Sequence, residues 1–293
     1  MRVGFIGLGV MGSRMTKRLI EADFDVVVYN RTKEKMAPFV ELGAKAADSI
    51  EELAKQSDVV CTCLSMPDDV AQVYEIVFEH AKQGTICVDF TTVGMDMSQN
   101  MAKRAEEKGI IFLDAPISGG PEGAEAGTLT IMVGGNKQAY ENILPMFQVL
   151  GENIQHLGAS GMGSVAKLMN QYLVAVHSLA ASEAMVVGTA LGLDSEQLYH
   201  ILKSSYGDSR MLRRHMEHYV LDREFAPGGA VKYVHKDVRL ANQLMNLAGL
   251  KKFTGNMAQE AFQEAIDQGL ADEDMSAVIK PLENETNTIV KRS

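Results

Sequence analysis

The stretch that decides the fold is Arg2-Val3-Gly4-Phe5-Ile6 followed by Gly7-Leu8-Gly9-Val10-Met11-Gly12. It is an apolar strand that runs directly into a Gly-x-Gly-x-x-Gly loop. The pattern of Ser13–Glu21 predicts a helix, and the apolar run Asp25–Tyr29 predicts the next strand. Strand, glycine loop, helix and strand thus follow one another in the order of a dinucleotide-binding βαβ unit.

Each glycine of the loop has its own task in such a unit. Gly7 permits the tight turn, Gly9 lets the backbone approach a pyrophosphate, and Gly12 lets the helix pack on the strand. The helix then points unpaired N–H groups and the positive end of its dipole at the phosphates. We therefore predict that the whole loop binds a dinucleotide; the alternative is a glycine turn without a ligand.

The residues after the second predicted strand narrow the choice of cofactor. An NAD-binding unit usually places an acidic residue there, which accepts hydrogen bonds from the ribose hydroxyls. This chain has Asn30, Arg31 and Thr32 instead. Because no carboxylate repels a 2′-phosphate and a guanidinium can bind one, we favour NADP over NAD, which remains possible. The alternative is that Arg31 is an ordinary solvated residue.

Composition and charge exclude several classes of protein. The chain has 293 residues, 46% hydrophobic and 23% charged, with a net charge of −10. That acidity argues against a nucleic-acid surface. No signal peptide precedes the first strand, and no window of about 18 residues is apolar throughout. We therefore expect a cytoplasmic protein with no membrane segment.

Metal chemistry has no motif in this sequence. Cys61 and Cys63 lie two residues apart on one face of a predicted buried strand, and Cys87 lies on the next strand. No further ligands stand at coordinating spacing, and the seven histidines are scattered. We expect the cysteines to pack in the core and predict no metal site.

The organisation of the chain predicts two domains of different character. Strand and helix patterns alternate in residues 1–160, which favours an α/β domain with a mainly parallel sheet covered on both faces. Three glycines in residues 158–163 mark the boundary. Residues 161–293 read as helices only, beginning with an apolar helix of about 28 residues from Ser164 to Leu191. Such a helix is covered either by another subunit or entirely within its own.

A lysine in the first turns of that long helix is the first candidate for chemistry. Gly161-Met162-Gly163 opens the helix, and Lys167 follows with apolar neighbours that favour the neutral amine. Asn170 and Gln171 stand three and four residues further on, which places them on the same helix face. A hydride-transferring enzyme needs a proton donor of this kind. The alternative is a lysine that extends from an amphipathic helix into solvent.

A second candidate segment is Asp114-Ala115-Pro116-Ile117-Ser118-Gly119-Gly120. It leaves the carboxyl end of a predicted strand, where ligands bind in open α/β sheets. Ser118 followed by two glycines presents a hydroxyl and exposed backbone N–H groups, which suit a carboxylate. The alternative is a glycine-rich turn that binds nothing.

Four motifs in this order resemble the β-hydroxyacid dehydrogenase family, which includes 3-hydroxyisobutyrate dehydrogenases, tartronate semialdehyde reductases and succinic semialdehyde reductases. The similarity covers essentially the full length. Beside the glycine loop, the motifs are Asp114 to Gly120, Gly161 to Lys167, and Lys236-Asp237-Val238. Four ordered matches are more specific than any single one.

The resemblance implies a role for each candidate residue. Lys167 would be catalytic, exchanging a proton with the substrate oxygen, and Asn170 would orient it or the substrate. Many family members have Asn-Asn where this chain has Asn170-Gln171, which puts the role of Gln171 in doubt. The substrate carboxylate would be held by Ser118, Gly119 and Gly120. The cofactor site would include Thr92, Lys236, Leu64, Ser65 and Met66.

The sequence therefore predicts an NAD(P)-dependent oxidoreductase that interconverts a short 3- or 4-hydroxy acid and its semialdehyde. The resemblance also implies a homodimer or homotetramer formed through the helical domain. One alternative is an imine reductase on the same fold, although those enzymes usually lack a lysine at the position of Lys167. Another is a non-catalytic nucleotide-binding scaffold, against which Lys167 and the acidic charge weigh.

Overall fold

The computed structural model describes residues 1–292 and divides into two compact units, of which the first is Met1–Lys167 and the second starts at Leu168. The first unit alternates strands with helices, as predicted. Its strands are β1 (Arg2–Ile6), β2 (Asp25–Tyr29), β3 (Lys45–Ala46), β4 (Val59–Thr62), β5 (Ile86–Asp89), β6 (Ile111–Asp114), β7 (Ile117–Ser118), β8 (Leu129–Gly135) and β9 (Gly151–His156). Its helices are α1 (Val10–Glu21), α2 (Ala37–Glu41), α3 (Ile50–Gln56), α4 (Pro67–His80), α5 (Met95–Glu107), α6 (Gly120–Ala126) and α7 (Lys137–Leu150), with a 3-10 turn at Lys33–Met36.

The nine strands form one mainly parallel sheet. The strand order is β3-β2-β1-β4-β5-β6-β8-β7, with β9 paired to β8. All pairs from β3 to β6 are parallel, whereas β8 runs antiparallel to β6 and β7. The α/β fold with a mainly parallel sheet is thus confirmed.

The alternation of side chains along the strands gives the sheet an apolar core on each face. On β2, Val26 and Val28 pack with Leu19 of α1. Val27, between them, packs on the opposite face with Leu53 of α3. Strands buried on both faces read as continuous apolar runs, which is why they were recognisable in the sequence.

Three short elements were not predicted: β3, β7 and α6. The two strands have only two residues each, too few for a periodic pattern. Helix α6 begins at Gly120, which has φ +68°, directly after Gly119, which has φ +142°. Glycine tolerates these backbone angles, so the chain turns sharply from β7 into a helix.

The second unit is helical in residues 168–292, apart from one isolated bridge between Ala230 and Asp274. Its first helix, α8 (Met162–Ala190), begins in the first unit and continues without a break. The others are α9 (Ser195–Lys203), α10 (Arg210–His215), α11 (Val231–Leu247), α12 (Gly255–Asp267) and α13 (Ile279–Thr286), with a π turn at Met216–Val220 and a 3-10 turn at Met275–Val278. The predicted all-helical C-terminal part is confirmed.

Helix α8 is long and apolar enough to cross a membrane by length and composition, with a mean hydropathy of 1.4 over an 18-residue window. Polar residues such as Lys167, Asn170 and Glu183 interrupt the helix, so the expectation that no window of about 18 residues is apolar throughout holds. Ala175, Met185 and Val186 of α8 are buried in the apolar cores of the second unit. Such burial is typical of a core helix.

Candidate active site

The glycine loop has the geometry that its sequence predicts. Gly7 adopts φ +99°, and a Cβ on Gly12 would lie 2.0 Å from the carbonyl oxygen of Gly7, so helix and turn touch. At Gly9 a Cβ would meet no heavy atom within 4 Å in the described residues, so space lies open beside the backbone. Gly9, the N-cap residue of α1, has no side chain that could cap the helix. A pyrophosphate fits here, because the first N–H groups of a helix need an acceptor.

The three residues after β2 have different surroundings. The Asn30 carboxamide accepts a hydrogen bond from Leu8 N at 2.9 Å and donates one to the Thr32 carbonyl at 2.9 Å. Asn30 therefore joins the glycine loop to the end of β2. Arg31 and Thr32 are exposed, where they are accessible to a ligand.

The parallel register brings the ends of neighbouring strands to one edge of the sheet. Tyr29, Ile6, Thr62, Asp89 and Asp114 are aligned across β2, β1, β4, β5 and β6. The predicted cofactor and substrate segments follow these residues in the chain, so they leave the same edge. This is the edge at which open α/β sheets bind ligands.

Buried hydrogen bonds connect the loops that follow β4 and β5. Asp89 is 1% exposed, and its Oδ1 accepts from Thr62 Oγ1 at 2.8 Å and from Thr91 N at 3.0 Å. Thr91 Oγ1 in turn accepts from Leu64 N at 2.9 Å. These bonds fix the backbone of two predicted cofactor segments, at Leu64 and beside Thr92. Burial raises the pKa of Asp89 to about 6 despite the bonds from Thr91 and Thr62.

The remaining residues of these segments lie closer to solvent. Ser65 and Met66 are exposed, and Thr92 is half-buried. Ser118 is half-buried on β7, where it pairs with Thr130 of β8, and the two following glycines are exposed. An exposed glycine pair beside a serine leaves backbone N–H groups accessible to a carboxylate.

Lys167 is buried, with 8% of its surface exposed. It lies on α8, whose first turn is bound by a carboxylate of the sheet. Asp114 Oδ1 accepts from Gly161 N at 2.7 Å, and Asp114 Oδ2 accepts from Ser164 N at 2.9 Å. Burial raises the pKa of Asp114, although these backbone bonds act in the opposite direction. Lys167 therefore lies on a helix that starts at the edge of the sheet.

In the second unit, four predicted or neighbouring residues form a polar cluster. Asn170 Nδ2 donates to Gln171 Oε1 at 3.0 Å, and Gln171 Nε2 donates to Asp237 Oδ2 at 2.6 Å. The ammonium of Lys236 lies 2.9 Å from Asp237 Oδ1, and both residues are buried. Gln171 thus links Asn170 to the Lys236–Asp237 pair through two hydrogen bonds.

The sequence had indicated no role for Asp89 or Asp114, although Asp114 ends a predicted strand and Asp89 is the last residue but one of another. Asp237 was quoted in a motif without a function. For Asp89 and Asp114 the only signal was an acidic residue in an otherwise apolar segment, and Asp237 stands among other charged residues. Partners of all three lie elsewhere in the chain, so these contacts were not readable from the sequence.

The cysteines belong to the core of the first unit. Cys61 and Cys87 are fully buried and Cys63 is half-buried, and burial raises the pKa of all three thiols. Among residues 1–292, no three His, Cys, Asp or Glu side chains are grouped so that they could hold a metal ion.

Comparison with known families places both parts of the chain among nicotinamide-dependent enzymes. Residues 2–158 match the family described as the NAD binding domain of 6-phosphogluconate dehydrogenase. Residues 161–282 match the family described as NAD-binding of NADP-dependent 3-hydroxyisobutyrate dehydrogenase.

Individual relatives agree with these matches. The chain is 37% identical to 2-(hydroxymethyl)glutarate dehydrogenase of Eubacterium barkeri, over 99% of this chain and 97% of that protein. It resembles the structure of Mycobacterium tuberculosis 3-hydroxyisobutyrate dehydrogenase with L-serine, with a TM-score of 0.87 and 30% identity over 96% and 98% of the two chains. The imine reductase of Myxococcus stipitatus shares the fold at 20% identity, with a TM-score of 0.64 over 96% and 100% of the two chains.

Proposed function

On the premise that the chain belongs to the β-hydroxyacid dehydrogenase family, we propose that Lys167 is the proton donor and acceptor of its reaction. The protein is an NAD(P)-dependent oxidoreductase of hydroxy acids. The observation that supports Lys167 is its burial on a helix whose first turn is bound to the ligand-binding edge of the sheet. A buried amine exchanges its proton without competition from bulk water.

The proposed mechanism assigns one task to each group. When bound, the nicotinamide ring supplies or accepts the hydride at the substrate carbon. In reduction, Lys167 Nζ–H donates its proton to the carbonyl oxygen of the semialdehyde, which becomes the hydroxyl of the product. In oxidation, the neutral amine of Lys167 takes the hydroxyl proton. Asn170, held by Gln171, would orient the substrate or the amine.

For the substrate, we propose a 3-hydroxy acid whose hydroxyl is on a terminal carbon. The names of the relatives, 2-(hydroxymethyl)glutarate and 3-hydroxyisobutyrate, and the L-serine in one complex share a CH2OH group beside a carbon that bears a carboxylate. Ser118, Gly119 and Gly120 would bind that carboxylate. The distance from carboxylate to hydroxyl is the same in all three compounds, so one site accepts different side groups.

For the cofactor, we propose NADP over NAD. Support comes from the exposed Arg31 and Thr32 and from the absence of a carboxylate among Asn30, Arg31 and Thr32. Lys236 and Thr92 remain predictions for the same site. The ratio of kcat/KM for NADPH to that for NADH should exceed one in the wild type and fall about tenfold or more in Arg31→Ala. A wild-type preference for NADH would contradict the proposal.

We also propose that α8 forms a homodimer or homotetramer interface. Leu173, Ala180, Ala184 and Val187 are exposed and recur on one face of the helix, with Leu173 50% and Val187 53% exposed. Light scattering should give at least twice the chain mass. Leu173→Glu with Val187→Glu should reduce that mass, and a wild-type monomer would contradict the proposal.

The decisive experiment is the kinetics of Lys167→Ala. We expect kcat for semialdehyde reduction to fall by about 10³-fold or more, because the proton donor is lost, while NADPH binding measured by fluorescence survives. Asn142→Ala, a substitution on the solvent side of α7, is the matched control and should turn over normally. Near-normal turnover by Lys167→Ala would remove the mechanism. Oxidation of NADPH with a cyclic imine, but with no semialdehyde, would instead favour an imine reductase.

A further inference from the structure

Asp114 lies between the two segments that are proposed to handle the substrate. It is the last residue of β6 and is 1% exposed. Ser118 follows it by four residues, and the helix that bears Lys167 begins beside it. None of the proposed chemical steps uses this carboxylate.

Both oxygens of Asp114 bind the start of α8. Gly161 is the residue just before the helix, and Ser164 is its third residue. Their N–H groups have no partner within the helix, and such groups are usually satisfied by a nearby side chain of the same segment. Here one carboxylate, 47 and 50 residues away in the chain, binds both, at 2.7 and 2.9 Å.

The carboxylate has little room to move. A Cβ on Gly134 of β8 would lie 2.6 Å from Asp114 Oδ1, and a Cβ on Gly163 would lie 2.9 Å from Asp114 Oδ2. The same Cβ on Gly163 would lie 2.2 Å from the Met132 carbonyl oxygen. Only glycine permits these close approaches. The Asp114 carboxylate is therefore held between strand β8 and the first turn of α8, with no space for a second position.

This arrangement determines where Lys167 is held. Lys167 follows Ser164 by three residues, less than one helical turn, so a shift of the helix start moves the amine by a similar amount. A displacement of about 1 Å at a reacting group can cost on the order of 100-fold in rate. We propose that Asp114 is a positioning residue, whose carboxylate fixes the first turn of α8 and thereby the place of the Lys167 amine. This inference rests on the proposed role of Lys167.

Asparagine tests the carboxylate at nearly constant volume. In Asp114→Asn one acceptor oxygen becomes an NH2 group, which faces the N–H of Gly161 or of Ser164 as donor against donor. We expect kcat to fall about 10- to 100-fold while the dissociation constant for NADPH changes less than about twofold. Amide hydrogen exchange at Gly161 and Ser164 should accelerate.

Ser98→Ala is the matched control. Ser98 Oγ lies 2.9 Å from Ser164 Oγ, also buried, so the variant removes a bond at the same helix residue without touching the carboxylate. We expect it to lower the melting temperature but to leave kcat within about twofold of the wild type. If Asp114→Asn does not fold, Ser164→Pro serves as the second variant. It removes the N–H group that donates to Asp114 Oδ2, in the first turn of the helix, where proline is tolerated.

The double variant Asp114→Asn/Lys167→Ala separates positioning from general damage. If Asp114 acts through Lys167, the double variant should turn over within about twofold of Lys167→Ala alone. A full additional loss in the double variant, or normal kcat in Asp114→Asn when the wild type is active, would overturn the inference. A wild type that reduces no semialdehyde would overturn the proposed function and this inference with it. The wild-type assay alone reveals that outcome, so the two failures can be distinguished.

Discussion

The buried carboxylates of the two units have different hydrogen-bond partners. In the first unit, Asp89 and Asp114 are bound by backbone N–H groups and a threonine hydroxyl. In the second unit, Asp274 and Glu283 each bind an arginine through both oxygens. The same chemical group thus holds loops and a helix start in the first unit, whereas in the second unit it forms ion pairs in addition to its bonds with backbone N–H groups.

The difference indicates a division between activity and stability. Each arginine pair joins residues 60 positions apart, Arg214 to Asp274 and Arg223 to Glu283, so its loss should loosen the fold of the second unit. The acids of the first unit lie at the strand ends from which the proposed site is built, so their loss should reduce activity more than stability. Three predictions test this contrast.

The largest effect on stability is expected from Asp274→Ala. Asp274 has a fully buried side chain, binds Arg214 at 2.9 and 2.7 Å, and also accepts from Gly228 N and Gly229 N. Ser276 N donates to the same carboxylate, so its removal leaves a largely buried guanidinium and three backbone amides without this acceptor. We expect the free energy of unfolding to fall by about 3–5 kcal/mol, measured by urea denaturation.

The neighbouring pair Arg213–Asp208 provides the control for this variant. The side chain of Arg213 is 51% exposed, so Asp208→Ala should cost less than about 1 kcal/mol. Equal losses in the two variants would contradict the view that burial distinguishes these adjacent arginines. The two adjacent arginines thus differ in their surroundings: the side chain of Arg213 is 51% exposed, whereas that of Arg214 is 24% exposed and binds a buried carboxylate.

The second prediction is an opposite dependence of stability on pH in the two units. His215 is fully buried; burial, reinforced by Arg214 and opposed by Asp274, lowers its pKa to about 3. Ser178 Oγ donates to the Val174 carbonyl, so His215 Nε2–H donates to Ser178 Oγ. Arg214 Nη1, which can only donate, lies 3.4 Å from His215 Nδ1, and this contact requires the neutral ring. The unfolded ring takes up a proton below about pH 6.5, so His215 should make the protein less stable as the pH falls from 6.5 towards 3.

Asp89 should act in the opposite sense. Its pKa is raised to about 6 from 3.8, so the folded state binds more protons than the unfolded state between those values. Its contribution to stability is therefore present below about pH 4 and is lost as the pH rises through 6. Each group contributes at most about 1.4 kcal/mol per pH unit. Between pH 4 and 6 the two contributions oppose each other.

Single variants separate the two contributions. The free energy of unfolding of the wild type minus that of His215→Gln should rise as the pH increases from 4 to 6.5. The corresponding difference between the wild type and Asp89→Asn should fall as the pH increases from 4 to 6. Urea denaturation at four pH values, followed by probes in each unit, measures both. Slopes of the same sign would show that one of the two assignments is wrong.

The contrast between the units also explains what the sequence predicted. The glycine loop, the strands and Lys167 were predicted because their signals are local: a strand, a turn and a helix stand next to one another in the chain. The contacts of Asp114 with Gly161 and Ser164 were not, because they join positions about 50 residues apart and use backbone N–H groups, which every residue type except proline carries. Asp274 was missed in the second unit for a similar reason, since its arginine lies 60 residues away.

The smallest effect is expected from Tyr74→Phe, at the far end of the hydrogen-bond chain that reaches Asp89. Thr62 Oγ1 donates to Asp89, so the Tyr74 hydroxyl, 2.9 Å from Thr62 Oγ1, must be the donor in that pair. Phenylalanine removes this bond in a fully buried place but leaves the bonds of Asp89 with Thr62 and Thr91 intact. We expect a loss of about 1 kcal/mol in the free energy of unfolding and no change in kcat or in NADPH binding. A fall in kcat would mean that the loops depend on the whole chain of hydrogen bonds and not on Asp89 alone.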